Sequence, residues 1–336
     1  MGQMPLYPLR FEPIYQYRLW GGRRLSNLLS MPLPGDEPIG EAWLLSDRED
    51  HQSQIANGPL KGQTIGVLME QYRDQLMGRL ASRFRRFPLL LKFLDAREML
   101  SVQVHPSNAH PELIPAGEMA KTEAWVVIEA ESGSRIYAGL KTGTTAGDLR
   151  RSLATGTIAD HLVGIAPKPG DSVFIPAGTV HTLGGDVVVF EIQQNSDVTF
   201  RLYDWGHVDA KTGQPRPLQV DQALASIDFA NSNGGLVTPT VVSTTPVERE
   251  RLFDCEHYLL WRLHGESPFN VGAAQMPRAL VCIEGSGWFE GGGSAYGVNK
   301  GEVWLLPAVV GACEFHPNNA VTLLEIALPE SSKAVQ

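Results

Sequence analysis

Apolar residues along this chain come in short runs cut by glycine, proline or charge rather than in long helical stripes. Residues 88–94, 99–104, 123–129, 172–175, 187–193 and 199–203 are short, rich in β-branched or aromatic side chains, and bounded by breakers, the pattern of strands. Helical spacing is clear only in places. Ile65, Leu68, Met69, Tyr72 and Leu76 recur every three to four positions behind Thr64, a suitable N-cap, and predict a helix over 64–77. Shorter helices are expected at 146–153 and 219–226. With 34 glycines and 23 prolines to turn the chain, closely spaced short strands predict a β-sandwich or barrel.

An internal repeat sharpens this expectation. The stretch AWVVIEAESGSRIYAG (Ala124–Gly139) is echoed by ALVCIEGSGWFEG (Ala279–Gly291). PKPGDSVFIPAG (Pro167–Gly178) returns as VNKGEVWLLPAV (Val298–Val309), and FEI (Phe190–Ile192) as LEI (Leu324–Ile326). The same order of strand, glycine turn, strand, Gly-acid turn, strand and Pro-Ala in both halves predicts duplicated barrels. The expected division is 1–245, a first barrel with N-terminal and helical additions, and 246–336, a second. The Pro-, Gly-, Ser- and Thr-rich stretch 207–245 is the expected connector, with a helical middle.

Composition narrows the class. At 336 residues the chain can bury one large core or two ordinary ones, and 43% hydrophobic against 19% charged residues is too apolar for disorder. A net charge of −9 argues against a nucleic-acid partner. The one basic cluster, Arg79, Arg83, Arg85 and Arg86, reads as the solvated end of a helix, with a phosphate-attracting patch as the lesser reading. Charge interrupts every apolar stretch well short of the roughly twenty residues a bilayer needs. Residues 1–10 carry no apolar core or cleavage site, so no signal peptide is expected. Cys255, Cys282 and Cys313 are odd in number and far apart, which excludes a disulfide framework and favours a reducing cytoplasm.

The chemistry lies in three motifs. In the first, Gly170, Pro176, Gly178 and His181 stand at fixed spacing: a Gly-acid turn admits a strand, Pro176 ends it, Gly178 allows a tight turn, and His181 points inward from the next strand. This matches the second signature of the cupin superfamily, with Gly185 where many cupins carry Asn. The second is Ser101-Val102-Gln103-Val104-His105-Pro106, where period-two alternation puts Gln103 and His105 on one face and Val102 and Val104 on the other. The third is Lys121-Thr122-Glu123-Ala124-Trp125, in which Glu123 opens an apolar strand as either a solvent-edge residue or an inward-turned ligand. Alone, each has an ordinary structural reading. Together Gln103, His105, Glu123 and His181 supply two imidazole nitrogens and two oxygens, a set that suits zinc with an open position for water or substrate. Glu123 is the only charged ligand. The site therefore keeps net positive charge, which favours an anionic transition state such as an enediolate.

These motifs, with LWGG (Leu19–Gly22), IGEAWLLSDR (Ile39–Arg48), FPLLLKFLDA (Phe87–Ala96), PAGTVHTLG (Pro176–Gly184) and EIQQNSDVTFRLYDWG (Glu191–Gly206), run over nearly the whole chain. The chain closely resembles class I mannose-6-phosphate isomerase (phosphomannose isomerase), in its short bacterial form without the large helical insertion. The resemblance implies a mainly β chain of two cupin-type (jelly-roll) barrels with a few short helices. It implies one zinc per chain, on Gln103, His105, Glu123 and His181, and interconversion of mannose 6-phosphate and fructose 6-phosphate through a cis-enediol. The family's active-site arginine falls on Arg201, which would stabilise the enediolate; its plain alternative is an ion pair with Asp197 or Asp204. Lys121 is a candidate for phosphate binding or proton transfer, against a reading as a surface lysine. Glu191 is the carboxylate candidate for base, or else a buried partner of Arg201. Ser101 and Ser107 are lesser candidates for phosphate contacts.

His51, His110, His161, His207, His257, His264 and His316 fall outside the motifs, and Trp20, Trp43 and Trp125 read as packing. In the second half the position of His181 falls on Ala312, no Gln-x-His pair precedes it, and the spare ligands His316 and Glu314 lack partners in a matching strand, so a structural lobe without metal is expected. The expected partner is a small sugar phosphate, with no nucleic acid or membrane, for a cytoplasmic monomer or weak homo-oligomer. Two other classes remain: a non-haem iron oxygenase using His105, Glu123 and His181, and a non-catalytic sugar-binding cupin.

Overall fold

In the computed structural model, which describes residues 4–231 and 234–330, the strands form two pairs of packed sheets. In the first pair, a sheet in the order Gly235–Val237, Ser172–Ile175, Glu123–Ala130, Val187–Gln194, Leu89–Ala96, Ile14–Gly22 and Ile39–Leu45 covers a smaller one. The smaller sheet runs Leu162–Ile165, Ile136–Leu140, His181–Leu183, Val102–Val104 and Phe200–Tyr203. Trp125, Leu94 and Val189 of the larger sheet pack on Ile136 and Leu183 of the smaller and close the barrel between them.

The repeat read from the sequence is a repeat of strand pairing. Ser172–Ile175 and Val187–Gln194 flank Glu123–Ala130, and in the same arrangement Val303–Leu306 and Val321–Ala327 flank Arg278–Glu284. The pairing also crosses the expected division. Leu9–Arg10 joins the second large sheet beside Val303–Leu306, and Thr240–Ser243 forms its other edge.

Within each central strand the apolar run is nearly unbroken because these strands are buried on both faces. In Leu89–Ala96, Leu91 and Phe93 point away from the first barrel into a core shared with Tyr258, Leu260, Val281, Leu305 and Leu324 of the second. Lys92 and Leu94 alternate to the inside, where they line a cavity. The second barrel differs inside: Phe269, Leu280, Phe289, Phe315 and Leu323 fill it.

The three expected helices form, with one change. The span 64–77 is two helices, Ile65–Gln71 and Arg73–Met77, because Tyr72 leaves helical geometry at φ −124° and ψ 21°. Thr64 caps the first by accepting from Val67 N–H. Arg83, beyond the second, donates to the Pro329 and Glu330 carbonyls, and Arg86 pairs with Glu49, so this cluster is partly a tether for the chain's C-terminal stretch. Cys282 and Cys313 are buried free thiols and Cys255 is half-buried. Among the described residues no helix is long and apolar enough to cross a membrane.

Candidate metal centre and active site

Register brings the predicted residues together. Gln103 is the cross-strand partner of His181 on one side and of Arg201 on the other, so three neighbouring strands present these side chains in one row. Val102 and Val104 point the opposite way, into a core with Leu149, Leu162 and Leu224. The turn before His181 is built on Gly178, which takes φ +89°, a left-handed conformation open to glycine at little cost. Its N–H donates to the His105 carbonyl at 2.8 Å, tying one ligand strand to the other.

The larger sheet supplies the carboxylate. Glu123 is fully buried, its Oε2 3.3 Å from His105 Nε2 and its Oε1 3.2 Å from His181 Nε2. His105 Nδ1 faces the Val198 carbonyl at 2.7 Å and His181 Nδ1 the Thr179 carbonyl at 2.9 Å. Each carbonyl requires a proton on Nδ1 and leaves the Nε2 lone pair facing inward, the orientation metal-binding histidines need. Both Glu123 oxygens are shut off from solvent, where a carboxylate is expensive without a counter-charge, and the nearest cation is the Lys121 ammonium, 2.9 Å from Oε2. Burial pushes the His105 imidazole down, to about 3, with the Lys121 ammonium adding to it, so the ring is neutral. Burial alone would raise the Glu123 carboxyl, but Lys121 and the two imidazoles outweigh it and hold it well below its usual value. Two inward lone pairs beside a buried, ionised carboxylate fit a divalent cation: the ligand atoms of His105, Glu123 and His181 lie within 4.8 Å of one another.

Gln103 stands beside the group. Its Nε2 stands 3.2 Å from His181 Nε2, and its Oε1 accepts from Ser101 Oγ at 3.3 Å. Amide nitrogen and oxygen are interchangeable in shape. Turned over, the amide would present its oxygen to the histidines and donate to Ser101.

Comparison with known proteins decides the family. A family model described as phosphomannose isomerase type I, catalytic domain, matches residues 9–127. Mannose-6-phosphate isomerase ManA of Bacillus subtilis is 34% identical over 319 residues, covering 92% of this chain and 95% of the relative. The chain belongs to the phosphomannose isomerase family. A mannose-6-phosphate isomerase of Streptococcus mutans is 32% identical, covering 92% and 95% of the two chains. The crystal structure of a mannose 6-phosphate isomerase from Bacillus subtilis superposes with a TM-score of 0.87, at 28% identity, over 96% of this chain and all of the other. The cupin fold is thus the family's own.

Next to His105, Glu123 and His181, on the side of Gln103 and Lys121, this family member carries a cavity of about 420 Å³. Gln103, Lys121, Glu191, Arg201 and Ser101 all line it; Ser107 is not among its lining residues, and its hydroxyl instead accepts from Ala109 N–H. Lys121 is buried, with Nζ 2.9 Å from Glu123 Oε2 and 3.3 Å from His105 Nε2, which removes its reading as a surface residue. Glu191 is also buried, but its partners are Lys92 at 3.0 Å and the Trp125 indole at 2.9 Å, rather than Arg201. Among the described residues Arg201 has no ion pair. Asp204, one expected partner, is taken by Arg216, and Arg201 Nη1 donates to the Pro217 carbonyl at 2.9 Å. Its Nε is buried without a partner. Burial and the neighbouring Arg216 lower the Arg201 pKa, the mark of a cation short of negative charge.

Reading motifs alone left Lys92, Glu41, Arg18 and Arg216 without roles. Glu191 is paired in register with Lys92 on one side and Trp125 on the other, and Lys92 with Trp43 beyond it. Arg18 holds Glu41 through two contacts, at 2.7 and 3.2 Å, and Glu41 reaches Lys92 at 3.7 Å. The signal was present in FPLLLKFLDA, where one lysine interrupts an apolar strand. A buried lysine needs partnered carboxylates. Trp43 and Trp125, expected only to pack, also donate their indole N–H groups to Glu41 and Glu191.

Proposed function

We propose that the chain is an aldose–ketose isomerase interconverting mannose 6-phosphate and fructose 6-phosphate through a cis-enediol, with one zinc ion held by Gln103, His105, Glu123 and His181. The observation that carries this reading is the buried Glu123 between two inward-facing imidazoles, next to Gln103 and Lys121, which line a cavity together with Arg201, a guanidinium with no ion pair among the described residues. The names of the relatives support the substrate.

A bound zinc ion would act as a Lewis acid on the substrate oxygens at this position. The protein's own groups do the rest. Arg201, a cation without a carboxylate, offers its guanidinium to the negative charge that grows as the enediolate forms. Lys121, buried beside the ligand carboxylate, is placed to carry a proton at the sugar's C1–C2 end. Glu191, held by Lys92 and the Trp125 indole, is the carboxylate side of that proton transfer. The cavity walls Trp20, Leu94, Leu100 and Trp125 keep bulk water from the intermediate.

The second barrel serves as a structural lobe in this reading. Its interior is filled by apolar side chains, Ala312 stands where the first barrel has His181, and His316 stacks on Trp288 with ring centroids 4.1 Å apart. The deciding experiment measures isomerisation of mannose 6-phosphate together with elemental analysis. Zinc near one per chain with turnover supports the reading; iron with oxygen consumption and no isomerisation replaces it with an oxygenase.

A further inference from the structure

The cavity has a second cationic feature, away from the metal ligands and outside every motif that identified the family. Arg216 lies next to the short hairpin Val208–Asp209 and Gln214–Pro215, and it lines the same cavity as Gln103, Lys121 and Arg201. Its guanidinium is fixed rather than floppy. Nε donates to Asp204 Oδ2 at 2.9 Å and Nη2 to Asp204 Oδ1 at 2.5 Å, in the two-pronged geometry that locks an arginine plane. Nη1 takes no protein acceptor among the described residues, so one edge of the fork remains for a ligand. Arg201, the neighbour of Gln103 in the row, is close enough to Arg216 for the two charges to disfavour each other. Gln103, Arg201 and Arg216 therefore share one cavity, Arg201 next to Gln103 and Arg216 near Arg201.

The hairpin itself is pinned to the cavity rim. Tyr17 Oη donates to Asp209 Oδ1 at 3.1 Å, the Lys211 ammonium sits 3.8 Å from the Tyr17 ring centroid, and Lys211 pairs with Glu37 at 2.6 Å. Asp209 also lines the cavity, but it is turned to Tyr17 and to the Lys211 N–H at 2.8 Å. Asp197, the other aspartate of the lining, acts on Lys92, Arg18 and Arg48. Two neighbouring guanidiniums, among the described residues one with no carboxylate partner and one with a free edge, are suited to a dianion with several oxygens.

We propose that Arg216, braced by Asp204, anchors the phosphate group of the substrate at the end of the cavity opposite the sugar's reacting carbons. This rests on the isomerase reading for the identity of the substrate, and it makes Arg216 a residue for phosphate recognition rather than for chemistry. An anchor remote from the reacting atoms holds ground state and transition state alike, so its loss shows in KM.

The test combines kinetics with a probe that needs no turnover. Arg216→Ala should raise KM for mannose 6-phosphate by about 10- to 100-fold with a much smaller change in kcat. It should also abolish competitive inhibition by inorganic phosphate and the protection phosphate gives against heat. Arg216→Lys should recover part of both. Asp204→Asn, which removes the brace but keeps the guanidinium, should lower the melting temperature and disturb KM far less. The proposal is overturned if Arg216→Ala leaves KM and phosphate inhibition intact, or if Asp204→Asn reproduces its full effect, the signature of a structural ion pair. Should Arg216→Ala not fold, Arg216→Lys and phosphate protection of the unaltered protein decide on the same criteria. Phosphate protection that depends on Arg216 in a protein that does not isomerise mannose 6-phosphate would uphold the anchor and remove the isomerase reading instead.

Discussion

Arg201 and Gln103 are direct partners in an antiparallel ladder, which places a guanidinium with no ion pair among the described residues beside the His105–Glu123–His181 group. Because its charge is not neutralised in the resting protein, it is available to a charge that appears only during reaction. Arg201→Ala should keep its fold and its metal while kcat falls by about 10²–10³, roughly 3–4 kcal/mol. Arg201→Lys should rescue only part, since a point charge does not reproduce a planar fork. Normal turnover with a lower melting temperature would remove Arg201 from the chemistry and leave Lys121 as the residue to test.

The metal centre makes a prediction independent of turnover. Glu123→Gln keeps the shape of the side chain but removes the only charge among the four proposed ligands. Elemental analysis should find about one zinc per chain in the unaltered protein and much less in Glu123→Gln. Added zinc should raise the melting temperature of the unaltered apoprotein through its preference for the folded state, and leave that of the variant nearly unmoved. Equal zinc content in both would disprove the assignment of Glu123.

The buried row Glu41–Lys92–Glu191 predicts acid sensitivity. Burial alone would raise the Glu41 carboxyl, but Arg18 and Lys92 outweigh it and bring it down to about 2. A carboxyl depressed in the folded state contributes stability that is complete above its unfolded value near 4.5 and is lost as pH falls toward 2. Glu41→Gln should therefore flatten the fall in unfolding free energy between those two pH values, as followed by denaturant titration. Lys92→Met, which leaves two buried carboxylates facing each other, should cost about 3–5 kcal/mol at neutral pH.

Asp47 gives the opposite sign. It is buried and accepts from Phe87 N–H at 2.7 Å, and burial pushes its carboxyl up to about 6 despite that bond and the nearby Arg86. A raised carboxyl weakens the fold as pH climbs through 4 to 6, and the cost is complete above that range. Asp47→Asn should stabilise the protein by about 1–2 kcal/mol at pH 7.5 and by almost nothing at pH 4. A variant that is less stable at both pH values would contradict this account of Asp47.

Much of the site was legible because it sits on strands. Period-two alternation placed Gln103 and His105 on one face, and Gly178 with Pro176 announced the turn that aims His181. The order of the repeats correctly matched the central strands of both barrels. Pairing across sequence was harder to see. Nothing local in Lys92 names Glu191 as its partner, because the two meet only through register between strands about a hundred residues apart in the chain. The same holds for Arg216, which depends on where a loop lies. The helix over 64–77 was read as continuous because its apolar spacing runs through Tyr72, whose backbone breaks it.

The central claim is that this cavity isomerises a sugar phosphate with a bound metal. Its most direct test is a coupled assay that follows fructose 6-phosphate formed from mannose 6-phosphate, before and after removal of metal by a strong chelator, with circular dichroism of the same samples. The account predicts turnover that disappears with the metal, returns with added zinc, and leaves the β-sheet signal unchanged. Undiminished turnover in metal-free protein, or no turnover in protein carrying one zinc per chain, would contradict it.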